Sequence, residues 1–192
     1  MTVAVVIGAT RGDSPWLADL LPTLDGCRWP VVVHLTRGFE LATIGWAAEW
    51  FDEYVFLPES SRVLDLTVFD RCFGDHAGVS VSLGRAQGGE FRMYLGKYLA
   101  ASVRALGVPS VGSKEEAVQY EGGAWCGRYR EREEAARRFA RVGGPMEHTN
   151  EFVERHGRVN MIVRNEHLER WKGSWDWQSM QDAAARIAAG CI

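Results

Sequence analysis

The sequence predicts an α/β fold in a single domain, with a mostly parallel central sheet flanked by helices. Three observations lead to this prediction. The first 60 residues alternate between short apolar runs and segments with helix signals, joined by short connections. The apolar runs are rich in valine and isoleucine, which is typical of strands buried on both faces. The chain of 192 residues is long enough for one core and short for two.

The elements of the first half follow from local signals. Val3–Ile7 is a β-branched run closed by Gly8, and it predicts the first strand. Ser14 before Pro15 is a favourable helix start, because the hydroxyl can cap the helix and proline suits its first position. The predicted elements are a strand over Val3–Ile7, a helix over Ser14–Leu24, a strand over Val31–Leu35, a helix over Phe39–Trp50 and a strand over Glu53–Leu57.

The second half gives weaker and more varied signals. Ser113 is followed by acidic residues in a pattern similar to a capping box, which predicts a helix start there. No internal repeat or domain linker is evident. The predicted elements are a helix over Leu64–Phe73, a strand over Gly78–Leu83, a flexible loop over Gly84–Glu90, helices over Met93–Leu106 and Tyr129–Val142, a strand over Arg158–Val163 and a terminal helix over Gln178–Ala189.

Composition excludes several classes of protein. The formal net charge is -3, so the chain is no obvious binder of polyanions, although most lysines and arginines lie after residue 70. The four cysteines are isolated and indicate neither a zinc site nor a disulfide framework. We find no signal-peptide pattern and no apolar run near the roughly 20 residues that cross a bilayer. We therefore expect a cytoplasmic protein without membrane contact.

The loop after the first strand, Gly8–Asp13, lies where doubly wound sheets bind ligands. It lacks the Gly-Lys-Ser/Thr of a P-loop and the glycine spacing of a dinucleotide site. Thr10, Arg11 and Asp13 carry the polar groups that can hold a ligand there. The alternative interpretation is an ordinary turn between a strand and a helix.

The third strand ends in Pro58-Glu59-Ser60. A buried strand that presents a carboxylate at its exposed end can hold a metal ion or a charged ligand. Asp65 is the candidate for a second carboxylate nearby. The alternative interpretation is that Glu59 only caps a surface turn.

Two segments, Val3–Asp13 and Gly38–Ser60, together resemble the donor-binding half of a GT-A-type, family-2-like glycosyltransferase. Three later blocks, Met93–Tyr98, Arg158–Met161 and Trp171–Trp175, are similar to small phage-encoded proteins of GT-A type. The resemblance implies a single GT-A-like domain over residues 1–192, with a nucleotide-donor half over 1–83 and an acceptor and diphosphate half over 84–192. If the protein is phage-encoded, the compartment is the host cytoplasm.

The resemblance implies an enzyme that moves a sugar from a UDP- or GDP-linked donor to an acceptor hydroxyl, on modified DNA or on a protein. The implied donor-binding residues are Gly8, Ala9, Thr10, Arg11, Asp13, Gly45, Lys97, Arg164 and Lys172. Tyr94, Trp171 and Trp175 are candidates for stacking on sugar faces, and Glu59, Asp65 and Glu147 for catalysis. Glu59 and His148 are the candidate ligands of Mn²⁺ or Mg²⁺.

The single acid in Pro58-Glu59-Ser60 departs from the paired acids of GT-A enzymes. One possibility is that Glu59 binds a metal ion, and that water and phosphate oxygens complete the coordination shell of this ion. The other is that basic side chains replace the metal. A second hypothesis is a protein that kept the fold and binds nucleotide sugars without catalysis. A third, an unrelated Rossmann-like oxidoreductase or methyltransferase, requires a glycine fingerprint that Ala9-Thr10-Arg11 does not supply.

Overall fold

The computed structural model describes residues 1–36, 40–74, 81–82, 91–92, 96–111, 125–138, 142–144 and 147–173. For residues 81–82, 91–92, 147–148, 150, 152, 158 and 172–173 it describes the backbone alone. The predicted loop Gly84–Glu90, the predicted helix start at Ser113 and the predicted terminal helix Gln178–Ala189 lie outside the described residues.

Strands and helices alternate through the first half, and strands dominate the end of the described chain. A 3₁₀ turn, Leu21–Leu24, extends the first helix. The elements are β1 Val3–Ala9, α1 Pro15–Leu20, β2 Val31–Leu35, α2 Glu40–Trp50, β3 Glu53–Pro58, β4 Ser61–Val63, α3 Thr67–Gly74, β5 Val81–Ser82, β6 Phe91–Arg92, β7 Gly96–Leu99, α4 Ala100–Leu106, α5 Trp125–Ala135, β8 Glu147–Arg155, β9 Arg158–Arg164 and β10 Leu168–Gly173.

The first sheet, sheet A, has the strand order β2-β1-β3-β7. β2, β1 and β3 are parallel, while β7 joins β3 in the antiparallel direction. The register sets Gly8 of β1 between His34 of β2 and Pro58 of β3. The carboxyl ends of three strands therefore meet at one edge, and the predicted α/β fold with a mostly parallel sheet is confirmed.

Helices cover both faces of sheet A, which explains why its strands are almost entirely apolar. Successive side chains of a strand point to opposite faces. Val5 and Ile7 pack with the core that includes α1 and α3, whereas Ala4 and Val6 pack with the core that includes α2, α4 and α5. All six residues of β3 are buried. The edge of sheet A is thus held by a rigid, two-sided core.

The second sheet, sheet B, is antiparallel and has the order β4-β10-β9-β8. β4 follows β3 after only Glu59 and Ser60, so the chain passes from one sheet to the other at that turn. β8 and β10 were not predicted, because the sequence signals around them indicate a loop and a turn. β9 corresponds to the predicted strand over Arg158–Val163, and β8 pairs with it over most of its length. A single strand is not stable without such a partner.

The predicted helix over Met93–Leu106 is wrong over Gly96–Leu99, and residues 93–95 lie outside the described residues. Gly96–Leu99 forms β7, and the helix begins only at Ala100. The open side of β3 accounts for the difference: Tyr98 pairs with Tyr54 and Gly96 with Phe56, which completes the backbone hydrogen bonds of a buried strand. Tertiary pairing here overrides the local helix propensity.

No described helix combines the length and the apolar character needed to cross a membrane.

Candidate ligand site at the carboxyl edge of sheet A

The turn between the two sheets holds two polar side chains with an unusual environment. Glu59 is half-buried, and its Oε2 atom is buried without a hydrogen-bond partner in the part of the chain that the structure describes. Ser61 is fully buried, and within the same residues its Oγ atom also lacks a partner. Burying polar atoms without partners costs free energy, on the order of 1–3 kcal/mol each. A ligand at this turn would supply the hydrogen bonds that the described residues do not.

The strand β10 brings distant basic residues to this turn. Its residue Arg170 pairs with Ser61, and the amide of Trp171 donates to the carbonyl oxygen of Ser60 at 3.0 Å. Extended by two residues beyond the pair of Arg170 with Ser61, the same register would set the backbone of Lys172 across from Glu59. Arg170 of β10 therefore lies next to the turn that holds Glu59.

Arg170 was missed by the sequence reasoning. Its guanidinium donates from Nη2 to Oε1 of Glu40 at 2.9 Å, and its side chain is only 18% exposed. Glu40 is the first residue of α2, which begins beyond the carboxyl end of β2. The alternation in Leu168–Gly173 was the available signal, because a strand there places Arg170 and Lys172 at alternate positions.

The loop after β1 is exposed, as a ligand-binding loop must be. Thr10, Arg11 and Asp13 are all exposed, and Arg11 Nε contacts Asp13 Oδ1 at 3.1 Å. Ala9 itself is buried in the core. Leu35, at the end of β2, is 55% exposed, and a Cβ on Gly12 would lie 3.7 Å from its Cδ1 atom. An apolar side chain and three polar side chains therefore share this surface.

Gly8 is required by packing. A Cβ on Gly8 would lie 2.8 Å from Thr43 Oγ1 and 3.1 Å from the ring of Phe56. Thr43 Oγ1 in turn contacts His34 Nδ1 at 3.1 Å, and the His34 ring stacks on Trp46 with 4.3 Å between centroids. Burial lowers the pKa of His34 below its ordinary value. These side chains are closely packed on this side of the edge, so there is no space for a side chain on Gly8.

Gly45 is not where the resemblance implies. It was expected beneath the nucleotide, yet a Cβ on Gly45 would meet Val108 at 3.4 Å. Val108 follows α4, so Gly45 permits α2 and the segment after α4 to approach closely.

Lys97 is not available to a diphosphate. Its side chain is 2% exposed, and its ammonium forms a 2.7 Å ion pair with Glu53, the first residue of β3. Nζ is not aligned for a hydrogen bond. The two opposite charges are nevertheless only 2.7 Å apart in a buried site, so they attract each other strongly. Glu53 lies at the end of β3 opposite to Glu59, so the pair belongs to the core.

Arg164 and Trp171 are also committed elsewhere. Arg164 donates from Nε and Nη2 to Oε2 of the buried Glu169, at 2.8 and 2.5 Å. Trp171 is 4% exposed and donates from Nε1 to Glu169 Oε1 at 2.9 Å. The guanidinium of Arg155 covers its ring at 4.2 Å from the centroid. The predicted roles of Arg164 at the diphosphate and Trp171 at a sugar do not agree with these contacts.

Asp65 acts at the start of α3. Its carboxylate accepts hydrogen bonds from the hydroxyl and the amide of Thr67 at 2.6 and 2.9 Å, which lower its pKa below the ordinary value. Its Oδ2 atom also lies 2.9 Å from His167 Nδ1. Arg71 can only donate, so His167 Nε2 accepts from it at 3.1 Å and Nδ1 carries the proton. Asp65 is not a second carboxylate beside Glu59.

The other predicted residues are distributed as follows. Glu147 and His148, expected in a loop, belong to β8. The register runs from Ser61 through Arg170 and Val163 to His148, so three strand spacings, about 14 Å, separate the ends of this row. β4 and β8 are opposite edges of sheet B, so His148 does not lie beside Glu59. Tyr94 and Trp175 lie outside the described residues.

The donor set for a metal ion is small. Within the described residues, no group of three His, Cys, Asp or Glu side chains is placed to hold a metal. Mg²⁺ in phosphate-binding sites is commonly held by one or two carboxylates, with phosphate oxygens and water completing its shell. Glu59 Oε2 and Ser61 Oγ, both buried and unpartnered among those residues, fit this limited role.

No protein-family model and no curated protein matches the chain. Similar solved structures include A197 from STIV, with 10% identity, a TM-score of 0.47, and coverage of 91% of this chain and 95% of that one. A glycosyltransferase involved in the glycosylation of the major capsid of PBCV-1 has 10% identity, a TM-score of 0.38, and coverage of 62% and 74%.

A protein of Bacillus anthracis assigned as a glucose-1-phosphate thymidylyltransferase, solved with sucrose, has 9% identity and a TM-score of 0.47. The match covers 95% of this chain and 94% of that one. The similar structures thus include a glycosyltransferase and a protein assigned as a nucleotidyltransferase. With TM-scores below 0.5, they transfer no residue role and no activity to this chain.

Proposed function

We propose that the protein is a glycosyltransferase that moves a sugar from a nucleoside diphosphate to an acceptor hydroxyl, with the donor bound at the carboxyl edge of sheet A. The observation that carries the proposal is the buried, unpartnered carboxylate oxygen of Glu59 at the end of β3, together with the similar hydroxyl of Ser61. No partner for either atom lies in the described ranges, and a ligand at this edge would supply one.

The surroundings suit the parts of such a donor. The exposed groups of Thr10, Arg11 and Asp13 lie on the loop after β1 and would contact the nucleoside. Extending the pairing of β10 with β4 by two residues would set the backbone of Lys172 across from Glu59, which supports a basic residue near the position proposed for the diphosphate. Polar atoms for a phosphate group and an exposed loop for a base therefore occupy one edge, as ligand sites of doubly wound sheets do.

In the proposed reaction the acceptor oxygen bonds to the anomeric carbon, and the bond from that carbon to the phosphate oxygen breaks. The electron pair leaves with the nucleoside diphosphate, and the acceptor proton passes to a base. Negative charge grows on the leaving phosphate, and stabilising it is the main task of the site. Glu59 and Ser61 would hold a Mn²⁺ or Mg²⁺ ion that enters with the donor, and such an ion supplies charge neutralisation.

The base, the acceptor and the donor nucleotide of this reaction are predictions from the sequence. Glu147 stays the prediction for the base that receives the acceptor proton, and its backbone lies in β8. The acceptor, on modified DNA or on a protein, is a prediction from the resemblance. UDP and GDP are the donor nucleotides that we expect.

A second candidate, a nucleotide-sugar-binding protein without catalysis, is favoured by one observation. Asp65, the predicted second carboxylate, is engaged by Thr67 and His167, so Glu59 lacks the second acid that the paired pattern would supply. Incubation with labelled UDP- and GDP-sugars and Mn²⁺ separates the candidates. Slow hydrolysis of the donor supports the enzyme, whereas binding without turnover supports the binding protein.

A thermal-shift titration with UDP and GDP, with and without Mn²⁺, tests the site. A ligand at 100 times its dissociation constant adds about 2.7 kcal/mol to the free energy of unfolding. We expect Glu59→Gln to lose the part of the shift that depends on Mn²⁺. Glu49→Gln is the matched control, because Glu49 is an exposed residue near the opposite end of α2. An undiminished shift in Glu59→Gln removes Glu59 from the site.

A further inference from the structure

The ion pair of Glu40 with Arg170 connects two parts of the fold that are far apart in sequence. Arg170 Nη2 lies 2.9 Å from Glu40 Oε1, and both side chains are largely withdrawn from solvent, with exposed fractions of 18% and 34%. The pair joins the first turn of α2, above sheet A, to the strand β10 of sheet B. It therefore lies where the two sheets meet.

The pair is next to the turn that holds Glu59. Arg170 is the cross-strand partner of Ser61, whose hydroxyl is buried and lacks a hydrogen-bond partner among the described residues. Glu40 begins α2 beyond the carboxyl end of β2, so the guanidinium reaches the same edge from the other sheet. A ligand that satisfies Ser61 and Glu59 would therefore come within the neighbourhood of Arg170.

The chemistry of this position suits a diphosphate. A guanidinium is permanently charged and planar, and it binds phosphate through two parallel hydrogen bonds. A diphosphate carries more negative charge than the single carboxylate of Glu40, so it competes well for the same cation. Two of the predicted cations are held by buried acids: Lys97 by Glu53 and Arg164 by Glu169.

We propose that Arg170 binds the diphosphate of the donor, and that Glu40 holds its guanidinium in place while the site is empty of donor. This inference rests on the proposed function, because it names the cation of the same site. On donor binding, the guanidinium exchanges the carboxylate of Glu40 for phosphate oxygens. Arg170 then stabilises the negative charge that grows on the leaving nucleoside diphosphate.

The test compares nucleosides with their diphosphates by isothermal titration of the full chain. For each variant we measure the ratio of affinities for UDP over uridine and for GDP over guanosine. We expect Arg170→Gln to reduce the ratio about ten- to hundredfold, the range for a lost charge-assisted hydrogen bond, while the nucleoside affinity stays unchanged. Arg62→Gln is the matched control, since Arg62 adjoins Ser61 in β4 but points to the opposite face.

Glu40→Gln distinguishes binding from a purely structural role. Removing the competing charge should raise the affinity for the diphosphates several-fold while the unfolding midpoint falls or stays constant. A structural pair predicts lower or unchanged affinity, and that result overturns the inference. If the wild-type protein prefers neither UDP nor GDP over its nucleoside, both proposals fail. If it does and Arg170→Gln keeps the same ratio, only the role of Arg170 fails.

Discussion

The amide of Trp171 donates a hydrogen bond to the carbonyl oxygen of Ser60 at 3.0 Å, and this bond continues the pairing of β10 with β4 up to the end of β3. This hydrogen bond attaches β10 to the turn at which the chain passes from sheet A to sheet B. The consequence is local: Arg170 is held beside Ser61, and Trp171 beside Ser60. The candidate site is thus built from both ends of the chain.

Glu59 should limit the stability of the ligand-free protein. Its buried Oε2 atom has no hydrogen-bond partner in the described part of the chain, so a neutral amide of the same size should be at least as well tolerated. We expect the free energy of unfolding of Glu59→Gln in urea, without nucleotide, to equal or exceed that of the wild type by up to about 1–2 kcal/mol. A clear loss of stability would show that a partner outside the described residues satisfies this oxygen.

Lys97 should act on stability through its ion pair with Glu53. Removing one member of a buried pair leaves an uncompensated charge, so Lys97→Met should lower the free energy of unfolding by about 3–5 kcal/mol. The double variant Glu53→Gln, Lys97→Met should recover much of this loss. Urea unfolding of Lys97→Met, Glu53→Gln and the double variant measures the coupling. If Lys97→Met is as stable as the wild type but binds UDP more weakly, the result would contradict this prediction and indicate that Lys97 contacts the ligand.

Gly8 should tolerate no side chain. The Cβ of Gly8→Ala would lie 2.8 Å from Thr43 Oγ1 and 3.1 Å from the Phe56 ring, both in a packed core. We expect a loss of about 1–3 kcal/mol in the free energy of unfolding, which is typical of overpacking. Gly127→Ala is the control: its Cβ meets nothing within 4 Å, and in the first turn of α5 alanine favours the helix more than glycine does. Gly127→Ala should therefore be neutral or stabilising in the same denaturant titration.

Asp65 should make stability sensitive to acid. Hydrogen bonds from Thr67 hold its pKa below the ordinary value of 3.8. A carboxyl group whose pKa is depressed by folding stabilises the protein above its unfolded pKa, and that contribution is lost as the pH falls through the lower, folded pKa. The difference in unfolding free energy between the wild type and Asp65→Ala should be present at pH 7 and shrink below about pH 4. Urea titrations at pH 7, 4 and 3 check this; a constant difference would contradict it.

The core of the first half was predictable because its signals are local and agree with each other. Val3–Ile7 and Val31–Leu35 are strongly apolar runs, and Ser14-Pro15 marks a helix start. Both strands are present within two residues of the predicted bounds, and the helix begins at Pro15, ends at Leu20 and continues as a 3₁₀ turn to Leu24. Glu59 at the end of a buried strand was also visible in the sequence, since the strand and its exposed end are adjacent.

The errors arise where a partner strand decides the structure. Gly96–Leu99 has helix-like neighbours, but the open edge of β3 draws it into sheet A. The same difference explains the site residues. Side chains such as Lys97 and Trp171 have the right chemistry for a ligand, yet burial next to Glu53 and Glu169 determines what they contact.

By itself, the sequence determined the alternation of strands and helices, the two-sided burial of sheet A and the acid at the end of β3. These properties follow from periodicity and from turn residues within short windows. Only the tertiary structure decided which cation lies next to the turn that holds that acid. Arg170 lies far from Ser61 along the chain, and cross-strand register makes them partners. Register depends on the pairing of whole strands, which a window of a few residues does not contain.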